Sequence, residues 1–216
     1  MIIRICAVIF TFILFGIMTC EPSASEIPTN SRAERIMESI KADLLEQLYT
    51  KNLKIGSPVF IRIFKKTAIL ELWIRNDSGQ FTLFETYDIC YFSGLPGPKL
   101  REGDLQSPEG FYKVTCASFN PYSDFYLSIN IDYPNSFDRY YKRTGGAIMI
   151  HGDCISIGCF AMTDENMGEI YTLAAAAIRN GQVSIDVHSF PFSFKEQNLQ
   201  KYEDLHWYTF WSNLKQ

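Results

Sequence analysis

Apolar positions recur at helical spacing between Ser31 and Tyr49, where Ile36, Met37, Ile40, Leu44, Leu45 and Leu48 mark one face of an amphipathic helix. Ser31, with Glu34 three residues on, predicts a capping box at its start. Gly56-Ser57-Pro58 then breaks the pattern. Strands are predicted at Val59–Phe64, Ala68–Arg75 and Phe81–Cys90, joined by turns at Lys65-Lys66-Thr67 and Asn76-Asp77-Ser78-Gly79, which makes a meander. The imperfect alternation in the first strand predicts a sheet buried partly on both faces. Phe111–Ala117, Tyr126–Ile131 and Ala147–Ile150 extend the strand set. Glu165–Arg179 reads as an Ala-rich helix stopped by Asn180-Gly181. Val183–Val187 is a further strand with His188 after it, Phe190-Pro191-Phe192 turns the chain, and Tyr202–Leu214 reads as an aromatic-rich closing helix. Trp207 and Trp211, four apart, are expected to pack on the sheet. The pattern as a whole predicts a mainly β domain with flanking helices, an α+β fold with mostly antiparallel strands.

The first residues follow a different pattern. Met1 to Arg4 is a short basic start, Ile5 to Met18 is almost unbroken apolar sequence, and Ser23 and Ser25 offer small residues for cleavage before Glu26. Residues 1–25 are therefore expected to be a secretory signal peptide, too short in its apolar run for a comfortable membrane span. Lipidation at Cys20 is the alternative, although Thr19 is a poor substitute for the Gly or Ala that usually precedes such a cysteine; an uncleaved amino-terminal anchor is the other. Both would be the only routes to a membrane. Residues 26–58 are read as a linker and the amino-terminal helix, and 59–216 as the main domain with a carboxy-terminal helical extension. With 216 residues, 47% hydrophobic and 20% charged, the chain suits one core. A net charge of -4 argues against a nucleic-acid surface. Of six cysteines, Cys90, Cys116, Cys154 and Cys159 lie in the body. Cys90 and Cys116 fit either buried thiols or a disulfide, and Cys154 fits either a packed loop residue or a partner for Cys159.

The densest chemistry lies in His151-Gly152-Asp153-Cys154-Ile155-Ser156-Ile157-Gly158-Cys159, between a strand and a helix. A cysteine is a weak nucleophile until an imidazole takes its proton, so His151 and Cys159 form the candidate pair. Gly158 allows a tight turn, and amides near Gly158 and Cys159 are candidate oxyanion donors. Ser156 is expected to orient the imidazole or donate to the substrate, and Cys159 to sit at the mouth of the following helix. The same residues permit zinc, with His188 as a fourth ligand, but the spacing lacks the paired rhythm of structural zinc sites. Ser93 to Gly110, rich in Gly and Pro, is expected to form a long loop bordering the cleft, with Lys99 placed to meet a substrate carboxylate. Between Asn130 and Arg143 an aromatic and charged loop offers Tyr133 and Arg139 as substrate holders, and Arg139→Ala is expected to raise KM about tenfold.

The motif segment resembles that of the L,D-transpeptidase (YkuD-type) family, a His-Gly pair, a spacer, then Ser/Thr-x-Gly-Cys. His151-Gly152 and Ser156-Ile157-Gly158-Cys159 carry it. Gly97-Pro98-Lys99, Gly103-Asp104 and Ser107-Pro108-Glu109-Gly110-Phe111-Tyr112 are similar to the family's approach to its site, and the resemblance runs from about Val59 to Phe194. The spacer after His151 is shorter than the family's. Ile157 stands where a second His is common, and Phe160-Ala161-Met162 replaces a usual Arg. These departures, with Tyr133 to Arg139 and Val187 to Phe192, resemble the YafK-like branch. The resemblance implies an L,D-transpeptidase-like β-sandwich or mixed-sheet domain in the periplasm, working without metal or organic cofactor. It implies acyl transfer at diaminopimelate-containing peptidoglycan stem peptides through a Cys159 thioester. The branch also implies an alternative, hydrolysis that releases a peptidoglycan-bound lipoprotein; a non-catalytic wall-binding protein is a third reading.

Overall fold

The structure is a computed structural model and describes residues 26–194 and 199–215. The predicted signal peptide, with Cys6 and Cys20, lies outside the described residues. Helix α1 spans Ser31–Thr50, but its cap is Asn30, whose side-chain oxygen accepts from Ala33 N at 2.8 Å. An Asn carboxamide in that position satisfies a first-turn donor directly, so Ser31 becomes the first helical residue rather than the cap. Glu34 is thereby left to bond Thr29 Oγ1 and Arg179.

The meander is present as β1 (Val59–Phe64), β2 (Ile69–Arg75) and β3 (Phe81–Asp88). Further along come β4 (Tyr91–Phe92), β5 (Gly110–Val114), β6 (Phe119–Asn120) and β7 (Ser128–Asn130). Helix α2 is Ser136–Tyr140, and β8 (Met149–His151), β9 (Phe160–Ala161) and α3 (Asp164–Arg179) surround the motif. Strand β10 (Ile185–Phe190) and α4 (Tyr208–Leu214) complete the chain.

Several of these strands are shorter than the hydrophobic runs suggest, and backbone conformation explains why. Tyr126, Asp132 and Ala147 all have positive φ, which removes them from the ladder and trims β7 and β8 to three residues each. Thr115 caps a short 3-10 turn at Cys116–Ser118, ending β5 early. β10 runs further than expected, so His188 lies within the strand rather than after it.

The strands form two five-stranded sheets, ordered β3-β2-β1-β10-β5 and β4-β9-β8-β7-β6. Both are mixed: β1 and β10 pair in parallel, as do β8 and β9, and the other pairs are antiparallel. In β1 the residues Val59, Ile61 and Ile63 are buried while Phe60 and Arg62 are half-buried, the two-faced burial that the imperfect alternation predicts. Helix α3 touches β1 of one sheet and β7 and β8 of the other, and α1 packs against it. This position explains the composition of α3. Ala174, Ala175 and Ala177 are fully buried because close approach from several sides leaves no room for longer side chains. Trp211 is also fully buried, in a second cluster with Phe64, Phe190 and Phe192, so α4 does pack on the sheet.

Candidate active site

Register places the two motif residues. β8 and β9 are parallel neighbours with Ile150 opposite Phe160, and both of those side chains point into the core with 0% exposure. Side chains alternate along a strand, so Met149, His151 and the residue preceding β9, Cys159, stand on the opposite face. Ser128 of β7 lies in register with His151 on that face. The sheet therefore presents the thiol and the imidazole on one face, Cys159 beside Met149 and His151 two residues further along β8, because the nine-residue motif leaves one strand and re-enters the next.

The loop between them is held at four points. Gly152 is required by space: a Cβ there would stand 2.5 Å from Asp164 Oδ1 and 2.7 Å from Tyr126 Cβ. Asp153 N donates to Asp164 Oδ1 at 3.0 Å, tying the loop to the first turn of α3. Cys154 is bonded to Cys90 in a disulfide, so neither the Cys90–Cys116 nor the Cys154–Cys159 pairing occurs; Cys116 and Cys159 are free. Ser156 Oγ donates to Cys159 O at 2.9 Å and accepts from Gly158 N at 3.2 Å. Gly158 is required by its backbone, with φ +154°. Ser156 is thus engaged with the backbone of the loop, and the Gly158 amide is committed to it.

Cys159 Sγ accepts from Met149 N at 3.3 Å and lies 3.7 Å from Ala147 O. Burial pushes the thiol above its ordinary value, while the Met149 amide and the Lys99 charge pull it down without reversing the shift. The residue sits at the start of β9, and α3 begins only at Asp164, so the expected place at a helix mouth is not found. His151 is 3% exposed, with Nδ1 2.5 Å from Gly152 O and the Phe125 ring centroid 4.9 Å from its own. A carbonyl can only accept, so Nδ1 carries a hydrogen toward Gly152 O, which leaves Nε2 as the ring nitrogen available for proton transfer.

Cys159 and His151 line one cavity of about 300 Å³, walled by the Asn120–Phe125 turn. On its other side Cys159 lines a second, of about 210 Å³, with Lys99, Leu105, Ile157 and Gly158. The loop expected from Ser93 to Gly110 runs from Ser93 to Glu109, up to the start of β5, and borders this second cavity through Lys99, Glu102, Gly103 and Leu105. A larger, open hollow of about 680 Å³ adjoins the first through Asp124, but contains neither Cys159 nor His151.

The proposed substrate holders are distributed differently. Lys99 is at the second cavity, but its ammonium is 2.6 Å from Asp104 Oδ1 and donates to Arg101 O, so its charge is already paired. Tyr133 is buried, the one hydrogen of its hydroxyl shared between Lys99 O and Thr144 O as a strut under the loop. Arg139 is exposed on α2, bonds Pro134 O, and lines neither cavity. The zinc grouping does not assemble: Cys154 is in a disulfide and His188 stands in the other sheet among Phe60, Phe111 and Phe190. Among the described residues no cluster of three His, Cys, Asp or Glu is placed to hold a metal ion. Sequence reading missed Met149 N and Phe125; Ser107, named there only as part of the upstream stretch, brings its hydroxyl 3.4 Å from Cys159 O. A backbone amide and a ring brought from a distant turn leave no local signal.

The fold and the cleft define a mixed-sheet domain with a Cys–His pair on a sheet face. Residues 58–185 match the L,D-transpeptidase catalytic domain, and the chain belongs to that family. It is 40% identical over 189 residues to YafK of Escherichia coli (strain K12), a protein named provisionally for L,D-transpeptidase activity, covering 88% of this chain and 76% of the relative. YafK of Escherichia coli O157:H7 matches equally. Among solved structures, a point variant of the helical cell shape determining protein Pgp2 from Campylobacter jejuni is 24% identical with a TM-score of 0.49, covering 78% of this chain and 56% of that one. Bdellovibrio bacteriovorus Bd1075 is 21% identical with a TM-score of 0.41, over 68% and 55%. The chain thus spans little more than half the length of those two proteins.

Proposed function

We propose that the chain is an exported peptidoglycan acyltransferase, an L,D-transpeptidase that works through a Cys159 thioester. The observation that carries this reading is the sharing of one cavity by Cys159 and His151, with Nδ1 of the imidazole held by Gly152 O. The Cys159 proton passes to His151 Nε2 as sulfur bonds the carbonyl carbon adjoining the diaminopimelate residue of a stem peptide. The carbon–nitrogen bond then breaks, and the departing amine takes the proton from His151. An acceptor amine, deprotonated by the same imidazole, attacks the thioester, forms the new amide and returns the thiol. Because the Gly158 amide is engaged by Ser156, the Cys159 amide is the assigned donor to the oxyanion, and Ser156 serves by fixing the loop that carries it. The two cavities flanking the sulfur favour transfer, since a thioester in one needs a separate approach for the amine.

Incubating the mature protein with purified peptidoglycan and resolving products by mass spectrometry tests this. The expected result is an acyl adduct on Cys159 and new crosslinks, both absent from Cys159→Ser and His151→Ala. Shortened peptides without crosslinks would instead establish hydrolysis. No adduct and no product would leave a wall-binding protein.

A further inference from the structure

Lys65 follows β1 and is 1% exposed, a rare state for a lysine. Its ammonium donates to Leu95 O at 3.0 Å, Gly97 O at 2.8 Å and Ser107 O at 2.9 Å, and pairs with Glu109 Oε1 at 3.0 Å. All four acceptors belong to the segment between β4 and β5, so a single cation folds that segment around itself. Glu109 Oε1 also accepts from Gly97 N at 2.6 Å, and Oε2 accepts from Trp211 Nε1 of α4 at 2.8 Å. The segment held in this way supplies Lys99, Glu102, Gly103 and Leu105 to the cavity beside Cys159. It also reaches the nucleophile's own carbonyl through Ser107. A buried ion pair is a poor source of stability, because desolvation offsets much of its attraction; what it supplies is a fixed geometry. Trp211 lies beyond residue 185, where the family match ends.

We infer that Lys65, Glu109 and Trp211 form a positioning node through which the carboxy-terminal helix sets the shape of the smaller cavity at Cys159, and with it the affinity for the second reactant. All three are positioning residues, since none touches the sulfur or either cavity. The identity of that reactant as an amine rests on the proposed acyl transfer; the control of the cavity does not.

Trp211→Phe in the full chain removes the indole N–H and leaves the ion pair. The probes are amide hydrogen exchange over residues 95–107, and Cys159 alkylation by iodoacetamide and by a bulky aryl maleimide. Where the wild type turns over, KM for an amine acceptor is measured as well. The expected result is exchange and maleimide labelling each about tenfold faster with iodoacetamide labelling unchanged, and KM about tenfold higher with kcat held. A lower Tm with the labelling ratio, exchange and KM all unchanged would reduce the node to a structural prop and overturn the inference. Should Trp211→Phe fail to fold, the paired variant Lys65→Met with Glu109→Gln removes both charges together, and the same measurements on it support or overturn the inference in the same way. A wild type without turnover refutes the acyl-transfer reading, while exchange and labelling still decide the node.

Discussion

At Cys159 two influences oppose one another: burial disfavours the thiolate, and one amide hydrogen bond with one nearby lysine favours it. Burial prevails, so the thiol is held above its ordinary value, and the proposed mechanism needs His151 to take the proton during attack. Cys159 alkylation by iodoacetamide should therefore rise with pH to a midpoint above the ordinary cysteine value; a midpoint near neutrality would mean a preformed thiolate and refute this. The same shift has a stability consequence. A raised folded-state pKa means the folded chain keeps a proton that the unfolded chain releases, so its contribution is full below the unfolded value and is lost as pH rises through the folded one. Replacing Cys159 with Ser should flatten that alkaline decline in Tm. Arg139 shows the converse of a legible residue. Its charge and aromatic neighbours suggest a substrate clamp, but it lies exposed on α2, so Arg139→Ala should leave KM for peptidoglycan fragments within about twofold. A tenfold rise would return it to the site. His151, Ser156, Gly158 and Cys159 were legible because nine consecutive positions hold them; Met149 N and Phe125 were not, because register and a remote turn bring them in.

At the scale of elements, long apolar runs gave strands that lie where the pattern puts them, as in β1, β2 and β3. The short strands of the second sheet were blurred because positive-φ residues end them, and single-residue backbone conformation leaves little trace in hydrophobicity. The Cys90–Cys154 disulfide was equally hidden, since pairing depends on which strands become neighbours. It joins the short link between β3 and β4 to the motif loop, across a sequence separation of 64. By loop-closure entropy such a crosslink stabilises by about 4 kcal/mol. Cys154→Ser should accordingly lower Tm markedly, and reductant should lower the wild type to about the same point. A wild type whose Tm is insensitive to reductant would argue that the bond is absent in solution.

At the scale of the whole molecule, the order of strands could not be read from the chain. β10 enters between β1 and β5 from far along the sequence, and periodicity carries no information about which edge a strand joins. The same limit applies to α1. Its apolar stripe is clear, yet whether that stripe belongs to the catalytic core or to a detachable leader is a question of tertiary contact. Ala33, Leu44 and Leu48 are essentially buried within the main cluster, and Arg179 of α3 reaches Glu34 at 2.7 Å. Helix α3 in turn touches β8, the strand that carries His151, so α1 supports the element beneath the site from behind. Leu44→Ala, which empties a fully buried position, should cost about 2–5 kcal/mol. If α1 is part of one cooperative unit, urea unfolding followed by far-ultraviolet circular dichroism and by tryptophan fluorescence should give coincident transitions, shifted together to lower urea with an unchanged slope. Two separated transitions, with only the helical signal moving, would show that α1 unfolds on its own and that the domain begins at β1.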